Sequence, residues 1–254
     1  MSSRLLRPGG ALLIPALGAT QILGYGALYY AFTVLAPRIT AEFGWPPEWT
    51  FGGFAVGLLL GGAVAPVTGS LIDRHGTRPV MAAGSLLAGL SLLALAEARG
   101  LASYIAAMVA LQAVTTAVFY DAAFAALAQA RGGGARRAIS QLTLIGGFAS
   151  TLFWPLTSAL LALLDWRGVY RLYGLAQILV CVPLHLFLLP GRVARPLLEA
   201  GGAAAIAPPP EAPALLTGPA RRRAFLLLAL AFSLQGFVVS AMAVHMLALL
   251  QGFG

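Results

Sequence analysis

Gly69-Ser70-Leu71-Ile72-Asp73-Arg74-His75-Gly76-Thr77-Arg78-Pro79 joins two long apolar runs. Each special residue in this junction has a mechanical reason to stand where it does. Gly69 permits close helix packing. Asp73 falls at the C-terminal end of the preceding helix, where the helix dipole repels a negative charge, so the fold has to bring it an arginine or the N-terminus of another helix. Gly76 can take the positive φ of a tight turn, and Pro79 suits the first turn of the helix that follows. Arg74 and Arg78 hold the junction on one side of a membrane.

That a membrane is the setting follows from composition. Of 254 residues, 59% are hydrophobic and 9% charged, against roughly 25% charged in a soluble domain. A helix of about 20 apolar residues crosses the hydrocarbon core. Seven such runs can be placed, at residues 11–36, 51–72, 79–97, 102–128, 138–164, 169–190 and 224–250. A β-barrel would need short segments alternating apolar and polar, but Leu58 to Val67 and Leu226 to Phe232 are apolar on every side. The chain therefore reads as an all-α integral membrane protein in contact with the lipid bilayer.

Every basic residue is arginine, and the formal net charge is +8. The arginines sit in ones, twos and threes between apolar runs, not on one face with interleaved aromatics, so they are topology signals and no nucleic-acid partner is expected. With the N-terminus cytoplasmic, the inner segments hold Arg4, Arg7, Arg74, Arg78, Arg131, Arg136, Arg137, Arg192, Arg195, Arg221, Arg222 and Arg223. The outer segments hold Arg38, Arg99 and Arg167, with Arg171 just inside the sixth span. This is a strong positive-inside bias, and it places Trp45, Trp49 and Trp166 at the outer interface. The first apolar run is too long for the core of a signal peptide.

The lone Cys181 lies inside an apolar run, so no disulfide framework or CxxC site is expected. His75, His185 and His245 are not spaced as metal ligands and read as packing or interface residues. The Gly-x-Ser-x-Gly and His-Glu-x-x-His patterns of membrane hydrolases do not occur. No enzyme activity, cofactor or metal is expected.

Three regions follow: a six-helix bundle at residues 1–190, a Pro- and Ala-rich cytoplasmic linker at 191–223 containing Pro208, Pro209 and Pro210, and a further helix within 224–254. The bundle carries an internal echo. Gly52-Gly53-Phe54-Ala55 opens the second span and Gly146-Gly147-Phe148-Ala149 lies early in the fifth. Asp73-Arg74-His75-Gly76 closes the second, and Asp165-Trp166-Arg167-Gly168 closes the fifth on the opposite side, as two inverted three-helix repeats require.

In its Gly, its Asp-Arg, its second Gly and its further basic residue, the junction at Gly69–Pro79 resembles the signature between helices two and three of the major facilitator superfamily, with Thr77 standing where a basic residue is usual. Thr20-Gln21 with Tyr29-Tyr30, Tyr120-Asp121-Ala122-Ala123-Phe124, and Arg136-Arg137-Ala138-Ile139 leading to Trp154-Pro155 look like a bacterial branch near the monocarboxylate and oxalate/formate carriers. The resemblance implies a major-facilitator-type bundle, here a six-helix N-terminal half plus a seventh helix, in a bacterial inner membrane. It implies that Gly69, Asp73, Arg74, Gly76 and Arg78 belong to a cytoplasmic latch whose Asp engages the second half. Because that family has twelve helices, five are expected to be missing, which leaves open a truncated remnant or a second chain supplying the other half.

Two polar stripes repeat at helical spacing: Gln21, Tyr25 and Tyr29 on the first span, and Gln112, Thr116 and Tyr120 on the fourth. They are expected to line a central cavity or to bond one helix to another. Asp121 is the acidic residue well inside a span, where a carboxylate costs ~2.5–3.5 kcal/mol on insertion scales. It is expected to couple transport to protons or touch substrate, or else to pair with Arg74 or Arg78. Gln141, Thr143 and Trp154-Pro155 read as packing or gate elements, and Arg171 as a snorkelling residue or an anion ligand. The function these readings support is carriage of a small organic solute or anion by alternating access, coupled to protons. The rivals are a non-transporting remnant or partner subunit, and a drug or metalloid efflux carrier.

Overall fold

A computed structural model describes residues 12–131, 134–191 and 218–252. Arg4, Arg7, Arg192, Arg195, Pro208–Pro210 and the His245 side chain lie outside what is described. The chain divides into two units, Met1–Val193 and Ala194–Gly254.

The first unit is all helix among the described residues. Helix α1 is built from Leu13–Tyr25, a π-helical turn Gly26–Tyr30, and Ala31–Phe43. Helix α2 is Pro47–His75 and α3 is Thr77–Ala96. Helix α4 covers Leu101–Arg131 but breaks between Thr115 and Tyr120, and α5 covers Ala135–Leu160 with a break at Gly147 and Phe148. Helix α6 is Trp166–Leu188 with a π turn at Gln177–Cys181.

Several ends differ from the expected spans. α1 runs on past residue 36 to Phe43, because Pro37 is accommodated inside it and the stop signal is Gly44, which caps it at φ 65° with its N–H on the Thr40 carbonyl. α2 likewise ends at Gly76, φ 86°, whose N–H bonds the Ile72 carbonyl at 2.8 Å. The tight turn expected at Gly76 is therefore present. Asp165 does not close α5, which stops at Leu160; it caps α6 by accepting from the Gly168 N–H at 2.7 Å.

Helices α2 through α6 are long and apolar enough to cross a membrane. α1 is long enough, and Thr20, Gln21, Tyr25, Tyr29 and Tyr30 make it less apolar than the others. Leu59, Leu144, Leu163, Leu179 and Phe187 are largely exposed, which water would penalise and lipid does not.

Glycine sets how closely the helices approach. Gly53, Gly57 and Gly61 form a stripe on α2 that lies against Tyr104, Met108 and Gln112 of α4, the two helices running parallel. Gly89 of α3 and Gly174 of α6 face each other so closely that a Cβ on either would meet the other's carbonyl. Gly18 and Gly26 of α1 fit under Ile145 and Phe153 of α5. Exchanging α1–α3 with α4–α6 maps the α2–α4 contact onto α5–α1 and the α3–α4 contact onto α6–α1, while α3–α6 maps onto itself. These pairings are those of two inverted three-helix repeats.

At the end opposite Gly76, Glu42 joins α1 to α6: its carboxylate pairs with Arg167 at 2.7 Å and accepts the Trp166 indole N–H. Arg167 also donates to the Ala96 carbonyl of α3 at 2.6 Å and covers the Trp166 ring. Trp166 is thereby buried, 3% exposed, instead of lying in the interface as expected.

The second unit contains one described helix, α7, Gly218–Gly252, of which Gly218–Val239 is apolar enough to span. The linker expected at 191–223 therefore gives way to helix from Gly218, and Arg221–Arg223 lie in its first turns.

Candidate functional site

Two interrupted helices, α1 and α4, form the centre of the first unit. Thr115 and Thr116 explain the break in α4. Their hydroxyls donate to carbonyls three residues back, Gln112 at 2.6 Å and Ala113 at 3.1 Å, in competition with the backbone ladder. The break frees carbonyls inside a membrane span, where an unsatisfied polar group costs several kcal/mol.

The amide of Gln21 on α1 donates to the Val118 carbonyl inside this break at 2.7 Å. Gln112 on α4 donates in turn to the Leu28 carbonyl inside the π turn of α1 at 3.3 Å. Each helix thus repairs the other's irregular turn. Both glutamines are 0% exposed, so they bond α1 to α4 and do not form open cavity wall. Each keeps a buried Oε1 without a partner.

The rest of the two stripes is half-buried and aromatic. Tyr25 stacks on Phe119 with ring centroids 4.0 Å apart and tilts against Tyr120 at 4.9 Å; Tyr120 stacks on Phe124. Tyr29 lies against Tyr30 and Phe54, and Tyr30 meets Trp154 edge-on. Thr116 bonds Thr68 of α2 at 2.8 Å. Of the expected stripes, Gln21 and Tyr25 meet α4 and Gln112 and Tyr120 meet α1, with the glutamines turned to structural use, while Tyr29 and Thr116 lie against Phe54 and Thr68 of α2.

Asp121 begins the second half of α4, in the first turn after the break. There the N-terminal end of the helix dipole favours a negative charge. It is exposed, and with Asp73, Gly69, Thr68 and Thr116 it lines a pocket of about 240 Å³ between α2 and α4. Among the described residues neither carboxylate has an ion pair; the two pairs present are Arg167–Glu42 and Arg171–Glu97. Pairing of Asp121 with Arg74 or Arg78 does not occur. Arg78 instead donates from Nε to the Leu186 carbonyl, tying the start of α3 to the end of α6. Arg171, on Glu97 at 2.6 Å, is committed to an ion pair at the far end of the bundle and not to an anion. Gln141 is exposed, and Thr143 donates to the Ile139 carbonyl.

One polar cluster escaped the sequence. His185 of α6 is 1% exposed and places Nε2 3.1 Å from Thr20 Oγ1 of α1, and Nδ1 2.9 Å from Ser85 Oγ of α3. Thr20 Oγ1 also donates to the Leu17 carbonyl, and His185 Nδ1 lies 3.2 Å from the Met81 carbonyl of α3 as well. No local spacing connects residues 165 and 100 positions apart, and only the fold brings them together. Interhelical hydrogen bonds in membranes average about 0.6 kcal/mol, so His185→Leu should cost roughly 1–2 kcal/mol. A thermal melt in detergent should show that loss, with His185→Gln recovering part of it; equal stability of the leucine variant would refute the cluster's role.

Among the described residues no three His, Cys, Asp or Glu side chains come together as a metal site. The arrangement offers the phenols of Tyr25, Tyr29 and Tyr120, the Thr116 hydroxyl and the Asp121 carboxylate as hydrogen-bonding groups. The family description Major Facilitator Superfamily matches residues 17–254. Monocarboxylate transporter 11 of Mus musculus is 33% identical over 231 residues, covering 89% of this chain and 49% of the mouse protein. The chain thus spans about half the length of that relative.

Proposed function

The chain belongs to the major facilitator superfamily, and from that premise we propose that it provides the N-terminal half of a secondary transporter that moves a small organic solute by alternating access, with Asp121 carrying the coupling proton. The observation that carries this reading is the position of Asp121: a carboxylate inside a span, at a helix break, beside the aromatic cluster and without a cationic partner among the described residues. An ionisable group kept in such a place at a cost of some kcal/mol marks a proton or solute path by default. Discontinuous helices are also where transporters of this kind build their sites.

Tyr25, Tyr29, Thr116 and Tyr120 are the solute-facing candidates, while Gln21 and Gln112 position the two broken helices that carry them. The name of the mouse relative suggests a monocarboxylate as the solute. Protonation of Asp121 together with entry of an anion would keep the occupied half near neutrality. Asp73, exposed in the last turn of α2 against its own dipole, is the latch residue whose partner would come from the second half. Arg74 and Gly76 share that loop, and the arginine distribution supports a cytoplasmic position for it and for the N-terminus.

The test is uptake of labelled short monocarboxylates into proteoliposomes carrying the gene product, with and without an inward proton gradient. Uptake that follows the gradient and collapses with a protonophore is the expected result. Absence of gradient-driven uptake for the whole panel would overturn the monocarboxylate and proton assignments.

A further inference from the structure

A second cavity lies beside the Asp73–Asp121 pocket, with Thr68 in the wall of both. It is an apolar groove of about 600 Å³ between α2, α3 and α4, walled by Val64, Leu71, Val80, Leu87 and Val114. Leu71 and Leu87 are 42% and 51% exposed, so the groove is open along its length to whatever surrounds the bundle. At its end by the Gly76 turn stand Arg74 and His75. Both are exposed, and Arg74 has no ion pair among the described residues. Arg78, one helical turn on, is by contrast already used on the Leu186 carbonyl. An apolar trough with an uncommitted guanidinium at its mouth is amphipathic along one axis.

We propose that this groove seats one acyl chain of an anionic phospholipid, with the headgroup phosphate held by Arg74. Shape and surface suit the occupant. From Val64 to His75 the groove follows α2 for roughly 16 Å at ~1.5 Å per residue, an apolar trough along which an extended hydrocarbon chain can lie. Charge selects the headgroup: the mouth carries a permanent cation, and basic sites between spanning helices on the cytoplasmic side are where anionic headgroups bind. His75 Nδ1–H donates to the Leu71 carbonyl at 3.2 Å, so the neutral ring has no second proton to offer and the phosphate contact falls to Arg74. The argument rests on the chain crossing a membrane with the Gly76 turn on the cytoplasmic side, as the proposed function has it, and does not depend on what it carries.

The probes are phosphatidylglycerol and phosphatidylcholine with identical acyl chains, presented to the purified protein and counted by native mass spectrometry. The wild type should retain phosphatidylglycerol at least about tenfold better. The variant Arg74→Gln should lose that preference. Ala83→Phe, on the exposed wall of the groove, should lose the bound lipid while leaving the melting temperature of lipid-free protein unchanged. Equal retention of the two lipids by the wild type would overturn the proposal, as would no retained lipid at all, the result if protein covers the groove. Undiminished phosphatidylglycerol retention in either variant would overturn it too.

Discussion

Asp121→Asn is expected to reduce proton-driven uptake to background while leaving the protein folded. The side chain is exposed and makes no ion pair among the described residues. Its contribution to stability is confined to the dipole of the helix it opens, about 0.3–1 kcal/mol for an exposed acid in the first turn. Asparagine keeps the size and the hydrogen-bonding oxygen and loses only the ability to take and release a proton. Asp121→Glu restores that ability and should recover part of the uptake. Exchange of solute between two equilibrated compartments, which requires no net proton movement, separates coupling from binding: it should survive in the asparagine variant. Gradient-driven uptake that persists in Asp121→Asn would remove this residue from the coupling step and leave the pocket with Asp73 as its sole acid.

Gly61→Leu should be the most damaging single change to the fold. A Cβ at this position would come within 2.7 Å of the Gln112 carbonyl oxygen and 3.2 Å of its carbon. These are backbone atoms and cannot rotate aside. The neighbouring Gly57 meets a side chain, Gln112 Cγ at 2.8 Å, and the Met108 carbonyl at 3.1 Å. Overpacking costs roughly 1–3 kcal/mol where side chains can yield, so a leucine against fixed backbone should reach the top of that range or exceed it. The expected readout is loss of the monodisperse detergent-solubilised protein. Gly62→Leu is the control, because nothing lies within 4 Å of a Cβ there. Equal stability of the two variants would show that α2 and α4 are not held at the observed distance.

The architecture was legible because it rests on one-dimensional signals. Long apolar runs, the turn at Gly76 and the Asp73–Gly76 junction each depend on a few adjacent residues, whereas the stop at Gly44 went unread and the first span was ended at residue 36. What the sequence hid depends on residues far apart. The break in α4 was not read from the run at 102–128; it becomes apparent only where the hydroxyls of Thr115 and Thr116 bond carbonyls three residues back. The stripe of Gln21, Tyr25 and Tyr29 was visible by its spacing; that Gln21 is fully buried against α4 while Tyr25 and Tyr29 are half-buried was not, because a four-residue repeat drifts around the helix and only a neighbour's position decides which side is covered. His185 was invisible for the same reason. Its partners come from two other helices, and an apolar flank in sequence said nothing of the two hydroxyls waiting beside it.

The reciprocal amide bonds between α1 and α4 also constrain how the protein is made. Leu28 and its partner Gln112 are 84 residues apart in the chain, and Gln21 and Val118 are 97 apart. At a synthesis rate of ~5–20 residues per second, α1 leaves the ribosome roughly 5–20 s before α4 exists. During that interval the Leu28 carbonyl and the Gln21 amide have no partner from α4, and a π turn in hydrocarbon would leave a backbone group bare. The first segment should therefore enter the bilayer as an uninterrupted α-helix or remain beside the insertion machinery, and acquire its irregular turn only when the fourth arrives. The kink in α1 is in this sense a late event of biogenesis, written by a helix that did not yet exist when α1 was made.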